Sequence, residues 1–259
     1  MFGAAALPGI AFAWAPLAVD QDPLVRMPGT QPGDGITLEG PRRCLNCHDG
    51  YDASVDPGFY WQGSMMAQAG RDPLYWSTVA VAAQDSIWAV GRPNATDICL
   101  RCHSPGGWTA GRSDPTNGSA FVGDDFDGVT CDGCHRLYDP FFEDSFAGTR
   151  ESSDWLNYWD ETNLSTTPSA AAAAVTRTAD RLESGLVDYF DGTAFFDASF
   201  QPGAASYTEA GTAQLFYAAD NAKRASFVDT SARHDVLYSR FTKSRYFCGT
   251  CHDISNPVL

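Results

Sequence analysis

The strongest helical pattern in the chain lies between residues 57 and 85. Its first half, PGFYWQGSMMAQAG, predicts a helix over 57–70 that ends at Gly70, because glycine commonly terminates helices. Its second half, RDPLYWSTVAVAAQD, predicts a new helix with Asp72 as the N-cap and Pro73 at the first helical position. Two successive helices are therefore expected in this stretch.

The remaining pattern is weaker. The biased stretch 165–181, STTPSAAAAAVTRTADR, predicts a helix or an ordered loop. The aromatic stretch 186–217 alternates in places as a strand does, which predicts a small β element there. Fifteen prolines and 24 glycines indicate many loops. The expected fold class is mainly α with much irregular loop.

Length and charge limit the function classes. A chain of 259 residues, 44% of them hydrophobic, can form one large domain or two modest ones. The formal charge is -15, with 32 acidic against 17 basic residues, so nucleic acid and anionic lipid are disfavoured as partners. An acidic surface would attract a basic protein, although nothing in the sequence localises such a patch.

All eight cysteines fall in four Cys-x-x-Cys pairs, and each pair is followed directly by a histidine. The four motifs are Cys44-Cys47-His48, Cys99-Cys102-His103, Cys131-Cys134-His135 and Cys248-Cys251-His252. The whole chain holds only five histidines, so four of them at this position are not a coincidence.

This spacing is typical of covalent haem attachment. Two cysteines three positions apart add to the two vinyl groups of a porphyrin, and the next residue supplies the proximal nitrogen to the iron. Zinc would need two further ligands and has no need of an adjacent histidine, and a redox dithiol would occur once. We therefore expect four haem c groups, with the fold organised around them, and keep zinc or dithiol chemistry as alternatives.

Haem is attached to such motifs outside the cytoplasm, so the chain is expected to be exported to the periplasm or the cell exterior. The apolar segment 2–19 fits either the remnant of a signal peptide or a retained packing arm, which would also allow membrane association. The expected organisation is an N-terminal apolar segment (1–39), a region with the first three haems (40–155) and a C-terminal region with the fourth (156–259).

The sequence contains few candidates for the sixth ligand of each haem iron. A haem that only carries electrons usually has a second axial side chain, yet His234 is the one histidine outside the motifs. Met65, Met66 and Met27 are the next candidates. The sequence therefore predicts a mixed set, with at least one His/His haem and one or more His/Met haems of higher potential.

Several stretches resemble a widespread group of exported multihaem cytochromes c, distantly similar to the nitrifier tetrahaem cytochrome that accepts electrons from hydroxylamine oxidoreductase. They are WQGSMMAQAGRDPLYW, CLRCHSPGGWTAGRSDPTNGSAF, GVTCDGCHRLYDP and FCGTCHDISNPVL. The resemblance covers roughly 40–155 and 240–259. Tetrahaem cytochromes that polymerise into nanowires are a looser similarity, in haem count and compartment.

The resemblance also bears on one ligand. The nitrifier type has a Trp-x-x-Ser-x-His-Ala run that supplies a distal histidine, and Trp61, Ser64 and Ala67 fit that frame. Met66 stands where the histidine would be, so the resemblance favours Met66 over Met65. Methionine in place of that histidine predicts a potential above the low values of that type.

The expected function is electron transfer by hopping between closely packed haems, in exchange with redox partner proteins. One alternative is a multihaem oxidoreductase, in which a haem with an open face acts on a small nitrogen or oxygen species. The other alternative is a subunit of an extracellular filament or a membrane-attached electron-transfer complex, formed by self-assembly or with other proteins.

Overall fold

The computed structural model describes residues 17–140, 168–203 and 213–253. Its α-helices are α1 (Pro41–His48), α2 (Pro57–Gln62), α3 (Met65–Gln68), α4 (Pro73–Val90), α5 (Asp97–His103), α6 (Pro105–Thr109), α7 (Cys131–His135), α8 (Pro168–Ser184) and α9 (Arg245–His252). Short 3-10 helices occupy Val19–Gln21, Asn94–Thr96, Gly123–Phe126 and Arg240–Lys243. The described chain is mainly helical with much irregular loop, as the sequence predicts.

The longest helix, α4, begins and ends at residues suited to those positions. The carboxylate of Asp72 accepts a hydrogen bond of 2.8 Å from the amide of Leu74, which confirms Asp72 as the N-cap. Gly91 follows the last turn with φ of 81°, a left-handed conformation that glycine adopts without strain.

The prediction of a single helix over 57–70 is wrong, because two short helices occupy this stretch. Helix α2 ends at Gln62, and the hydroxyl of Ser64 accepts a hydrogen bond from the amide of Ala67 to cap α3. A local serine cap, which competes with continued helix, therefore divides the segment.

The β structure lies later in the chain than expected. Strands β1 (Lys223–Ala225) and β2 (Val236–Tyr238) form a two-stranded parallel sheet, in which Arg224 is paired with Leu237. Within the described part of 186–217, pairing is limited to isolated antiparallel bridges such as Asp188 with Ala194. Residues 204–212 of that prediction lie outside the described residues.

The main hydrophobic core combines residues from distant parts of the chain. Its buried members are Leu38, Tyr75, Val79, Leu100, Trp108, Phe121, Leu137, Leu215 and Tyr217. Cys99 and Cys251 of the second and fourth motifs pack against this cluster. The core thus draws on all three segments expected from the sequence, and the motifs border it directly.

The described part of the N-terminal segment is integrated into the fold. Val19, Val25 and Met27 are fully buried, and Asp22 forms an ion pair of 2.5 Å with Arg92. Residues 17–39 thus pack as an arm against the helical region, whereas 1–16 lie outside the described residues, as do 141–167 and 254–259. Among the described helices, none combines the length and apolarity that crossing a bilayer requires.

Buried arginines tie the motif helices to neighbouring segments. Arg101, inside the second motif, pairs with Asp97 at 2.6 Å and donates to the carbonyls of Val25 and Ala213. Its guanidinium also lies 4.8 Å from the centre of the Trp108 ring. One charged side chain therefore holds the second motif to both the N-terminal arm and the segment after 213.

We predict that Asp97→Asn lowers the free energy of unfolding by about 3–5 kcal/mol, because it leaves the Arg101 guanidinium buried without its counter-charge. Guanidinium denaturation followed by far-UV circular dichroism measures this. Arg43→Gln is the matched control, since it removes an exposed arginine from an i,i+4 pair with Glu39, and should change stability by less than about 0.5 kcal/mol. Equal, small effects of both substitutions would contradict the prediction.

Candidate cofactor-attachment site

Each Cys-x-x-Cys-His motif lies at the end of a short helix. The histidine is the last residue of α1, α5, α7 and α9, and the two cysteines before it are three positions apart on one helical face. Local caps set two of these helices: the hydroxyl of Thr130 accepts from the amide of Gly133, and that of Ser244 from the amide of Tyr246. The start of the helix is thus set by a local cap at the third and fourth motifs.

The first motif is also shaped by a close approach of helix α2. A Cβ atom at Gly58 would lie 2.7 Å from the carbonyl oxygen of His48 and 2.6 Å from the side chain of Leu45. Only glycine allows this contact, so α2 rests directly on α1.

All eight cysteines are free thiols, and none is fully buried. Cys47 and Cys248 are exposed, and the other six are partly exposed. Cys47 and Cys248 are therefore the cysteines most open to covalent modification from the protein surface.

Contacts between thiols bring the motifs together in pairs. The thiol of Cys44 in the first motif interacts with that of Cys131 in the third, which raises the pKa of the Cys44 thiol and lowers the pKa of the Cys131 thiol, and the helices that carry them, α1 and α7, are in contact. The thiol of Cys102 in the second motif likewise interacts with that of Cys251 in the fourth and raises the pKa of the Cys251 thiol.

A further contact connects the two pairs. Cys134 of the third motif interacts electrostatically with Cys248 and Cys251 of the fourth, while burial raises the pKa of its own thiol to about 12. The buried ring of Tyr217 lies among the second, third and fourth motifs, close enough to interact with their thiols. The second, third and fourth motifs therefore lie around Tyr217, and the first lies beside the third.

Backbone carbonyls fix the tautomer of three histidines. The Nδ1 atom of His135 lies 2.8 Å from the carbonyl oxygen of Arg224, and that of His103 lies 3.2 Å from the carbonyl oxygen of Ala69. The Nδ1 atom of His234 lies 3.1 Å from the carbonyl oxygen of Asp235. A carbonyl only accepts, so Nδ1 carries the hydrogen and Nε2 keeps its lone pair for a metal ion.

His234, outside the motifs, faces the first motif. The ring centres of His48 and His234 are 6.4 Å apart, and the ring planes are inclined by 49°. Imidazole nitrogen binds metals at about 2.0–2.1 Å, so two imidazoles on opposite sides of one ion have ring centres roughly 6 Å apart. The separation of His48 and His234 therefore fits a single metal ion held between them.

The candidate methionines lie in different environments. Met65 is 83% exposed and Met66 is 47% exposed on α3, whereas Met27 is 0% exposed and packed within protein. The carbonyl of Met66 accepts a hydrogen bond of 2.9 Å from the amide of Val129, two residues before the third motif. Of the three, Met66 thus combines partial exposure with a backbone contact next to a motif.

The residues fit covalent haem better than zinc. None of the eight cysteines forms a disulfide, and the ring centre of one extra imidazole lies 6.4 Å from that of a motif histidine. In the described ranges, no three His, Cys, Asp or Glu side chains converge to hold a metal ion, although a structural zinc site needs four ligands.

Sequence reasoning missed the residues that position the motif histidines. The carbonyls of Ala69 and Arg224 carry no signal in the sequence, since any residue presents a carbonyl. Tyr75, whose ring stacks on His103, was visible only as part of a helical pattern. Arg224 forms ion pairs with Asp180 and Asp220. All three charged residues are visible in the sequence, but which of them pair depends on the fold.

Comparison with protein-family models, with curated proteins and with solved structures finds no match for this chain.

Asp180 provides a test of the network behind His135. It pairs with the buried guanidinium of Arg224 at 2.7 Å, and burial raises the pKa of its carboxyl from 3.8 to about 6. Since the folded state binds the proton more tightly, its contribution to stability is complete below pH 4 and is lost as pH rises through about 6. The free energy of unfolding should fall by about 3 kcal/mol over this range on account of Asp180.

Chemical denaturation of the wild type and Asp180→Asn between pH 4 and 7 measures this difference. The asparagine variant should lack the fall, whereas Asp220→Asn, which changes the more exposed partner of Arg224, should retain most of it, because burial is the largest cause of the raised Asp180 pKa and Asp220 a smaller one. Identical pH profiles for the wild type and Asp180→Asn would show that Asp180 does not titrate in this range.

Proposed function

We propose that the chain is a c-type cytochrome that carries four covalently attached haems and transfers electrons outside the cytoplasm. The observation that carries this proposal is the fourfold Cys-x-x-Cys-His motif, with each copy at the end of a short helix. A structural zinc site has no need of a histidine directly after each cysteine pair, and a redox dithiol would occur once.

The residues that would hold the cofactors are those of the motifs. The cysteine pairs 44/47, 99/102, 131/134 and 248/251 would form the thioether bonds, and His48, His103, His135 and His252 would bind iron. Bound haem supplies reversible one-electron chemistry between ferric and ferrous iron. The polypeptide contributes spacing, burial and the orientation of each imidazole.

The proximity of the motifs supports hopping between neighbouring haems. The thiols of Cys44 and Cys131 interact, as do those of Cys102 and Cys251, so the first motif is adjacent to the third and the second to the fourth. The electrostatic interaction of Cys134 with Cys248 and Cys251, and the position of Tyr217 among the second, third and fourth motifs, connect these pairs. The four attachment sites would therefore form one group among which electrons could pass.

Ligation is proposed to differ between the sites. The 6.4 Å separation of His48 and His234 supports His/His ligation at the first motif. At the other three motifs the candidates are Met66, Met65 and Met27, and thioether ligation there would raise the potential above that of the His/His site. Export and exchange with a basic redox partner, drawn to the net charge of -15, complete the proposal.

A spectroelectrochemical titration of the purified holoprotein tests this function. Four reversible one-electron steps per chain are expected, with one step at distinctly lower potential than at least one other. Absorbance that does not respond to potential would reject electron transfer, and four equal low potentials would reject mixed ligation.

A second candidate function is catalysis at a haem with an open face, acting on a small nitrogen or oxygen species. It is favoured by the position of His234, the one histidine outside the motifs, because its place beside His48 leaves no further imidazole for the other three sites. Cyanide or nitrite binding to a high-spin ferric haem in the wild type would support catalysis. A fully low-spin spectrum that these anions do not change would favour the electron carrier.

We predict that His234→Ala converts one haem of four from the low-spin to the high-spin ferric state and raises its midpoint potential, because the first site loses its second imidazole. Electron paramagnetic resonance and the redox titration measure the two changes. Arg233→Gln alters the adjacent exposed residue of the same loop and should leave both unchanged. A His234→Ala spectrum identical to that of the wild type would exclude His234 as a ligand.

A further inference from the structure

We infer that Tyr75 is a positioning residue that fixes the ring plane of His103, the metal-binding histidine of the second motif. This inference rests on the proposed function and deepens it. It concerns one site of the four and makes no use of the ligand on the opposite side of the metal.

The imidazole of His103 is held in two directions. The carbonyl of Ala69 accepts the Nδ1 hydrogen at 3.2 Å, which acts in the plane of the ring. The phenol ring of Tyr75 lies against the face of the imidazole, with ring centres 3.9 Å apart and planes inclined by only 3°. The hydrogen bond leaves Nε2 as the nitrogen that would bind iron, and the stacked ring opposes rotation of the imidazole plane.

Tyr75 can act in this way because its own position is fixed. It lies in the first turn of α4, whose start is capped by Asp72, and its side chain is buried. The neighbouring Trp76 packs edge-on against it, with ring centres 5.0 Å apart, and donates its indole hydrogen to the carbonyl of Gly70 at 2.9 Å. The segment 69–76 thus contacts His103 through both the Ala69 carbonyl and the Tyr75 ring.

The aromatic ring carries this effect, and the hydroxyl does not. The hydroxyl oxygen of Tyr75 is buried and has no hydrogen-bond partner among the described residues. Burial raises the pKa of the Tyr75 phenol well above its usual value, so the side chain stays neutral. Phenylalanine at this position should therefore keep the function, whereas an aliphatic residue should lose it.

The test compares the ferric electron paramagnetic resonance spectra of holoprotein variants, since the g values of a low-spin haem depend on the orientation of its axial imidazole. Tyr75→Leu should shift or broaden the signal of one haem of four. Tyr75→Phe, which keeps an aromatic ring at this position, should give the wild-type spectrum. Trp88→Leu removes an aromatic ring that is 79% exposed on the same helix, and should change nothing.

Haem content is measured first, as the pyridine haemochrome. It distinguishes a failure of the proposed function from a failure of the role of Tyr75. A wild type without four haems per chain would reject the proposed function. Four haems in the wild type and in Tyr75→Leu, with an unchanged resonance spectrum, would reject only the role of Tyr75.

A measurement on the wild type covers the case in which Tyr75→Leu does not fold. In the fully reduced, diamagnetic protein, nuclear Overhauser cross-peaks are expected between the ring protons of Tyr75 and those of His103. Their absence from assigned spectra would overturn the inference.

Discussion

A backbone carbonyl that accepts the Nδ1 hydrogen of a histidine leaves Nε2 free, and this constraint connects the motifs to the rest of the fold. Ala69 supplies such a carbonyl to His103 from the turn before α4, and Arg224 supplies one to His135 from β1. Neither carbonyl is near its histidine in sequence. The turn at 69 and the small parallel sheet are therefore parts of the candidate site, although neither contains a cysteine.

Buried arginines connect the motif helices and β1 to segments that are distant in sequence. Arg101 connects the second motif to the N-terminal arm, and Arg224 connects β1 to Asp180 of α8. Buried pairs of this kind add little net stability, but loss of one partner is costly because it leaves an uncompensated charge. Segments far apart in sequence are thus fixed at the helices of the second and third motifs.

The sequence was informative where the signal is local. Asp72 and Pro73 predicted the start of α4 correctly, and the fourfold repetition of the motif indicated the candidate chemistry. It failed at Ser64, a local cap that was not recognised inside an expected helix, and at the sheet of 223–238, whose strand β1 packs against the third motif far away in the sequence. His234 was selected only by elimination, and its position beside His48 depends on the fold of the loop between the two strands.

The central claim, four haems bonded to the polypeptide, is tested most directly by the mass of the intact, acid-denatured protein purified from a host that attaches haem c. Thioether bonds survive these conditions, whereas bound zinc and non-covalent haem are lost. We predict a mass that exceeds that of the polypeptide by four haem groups. A mass equal to that of the polypeptide alone would contradict the account, because the four motifs would then serve another chemistry.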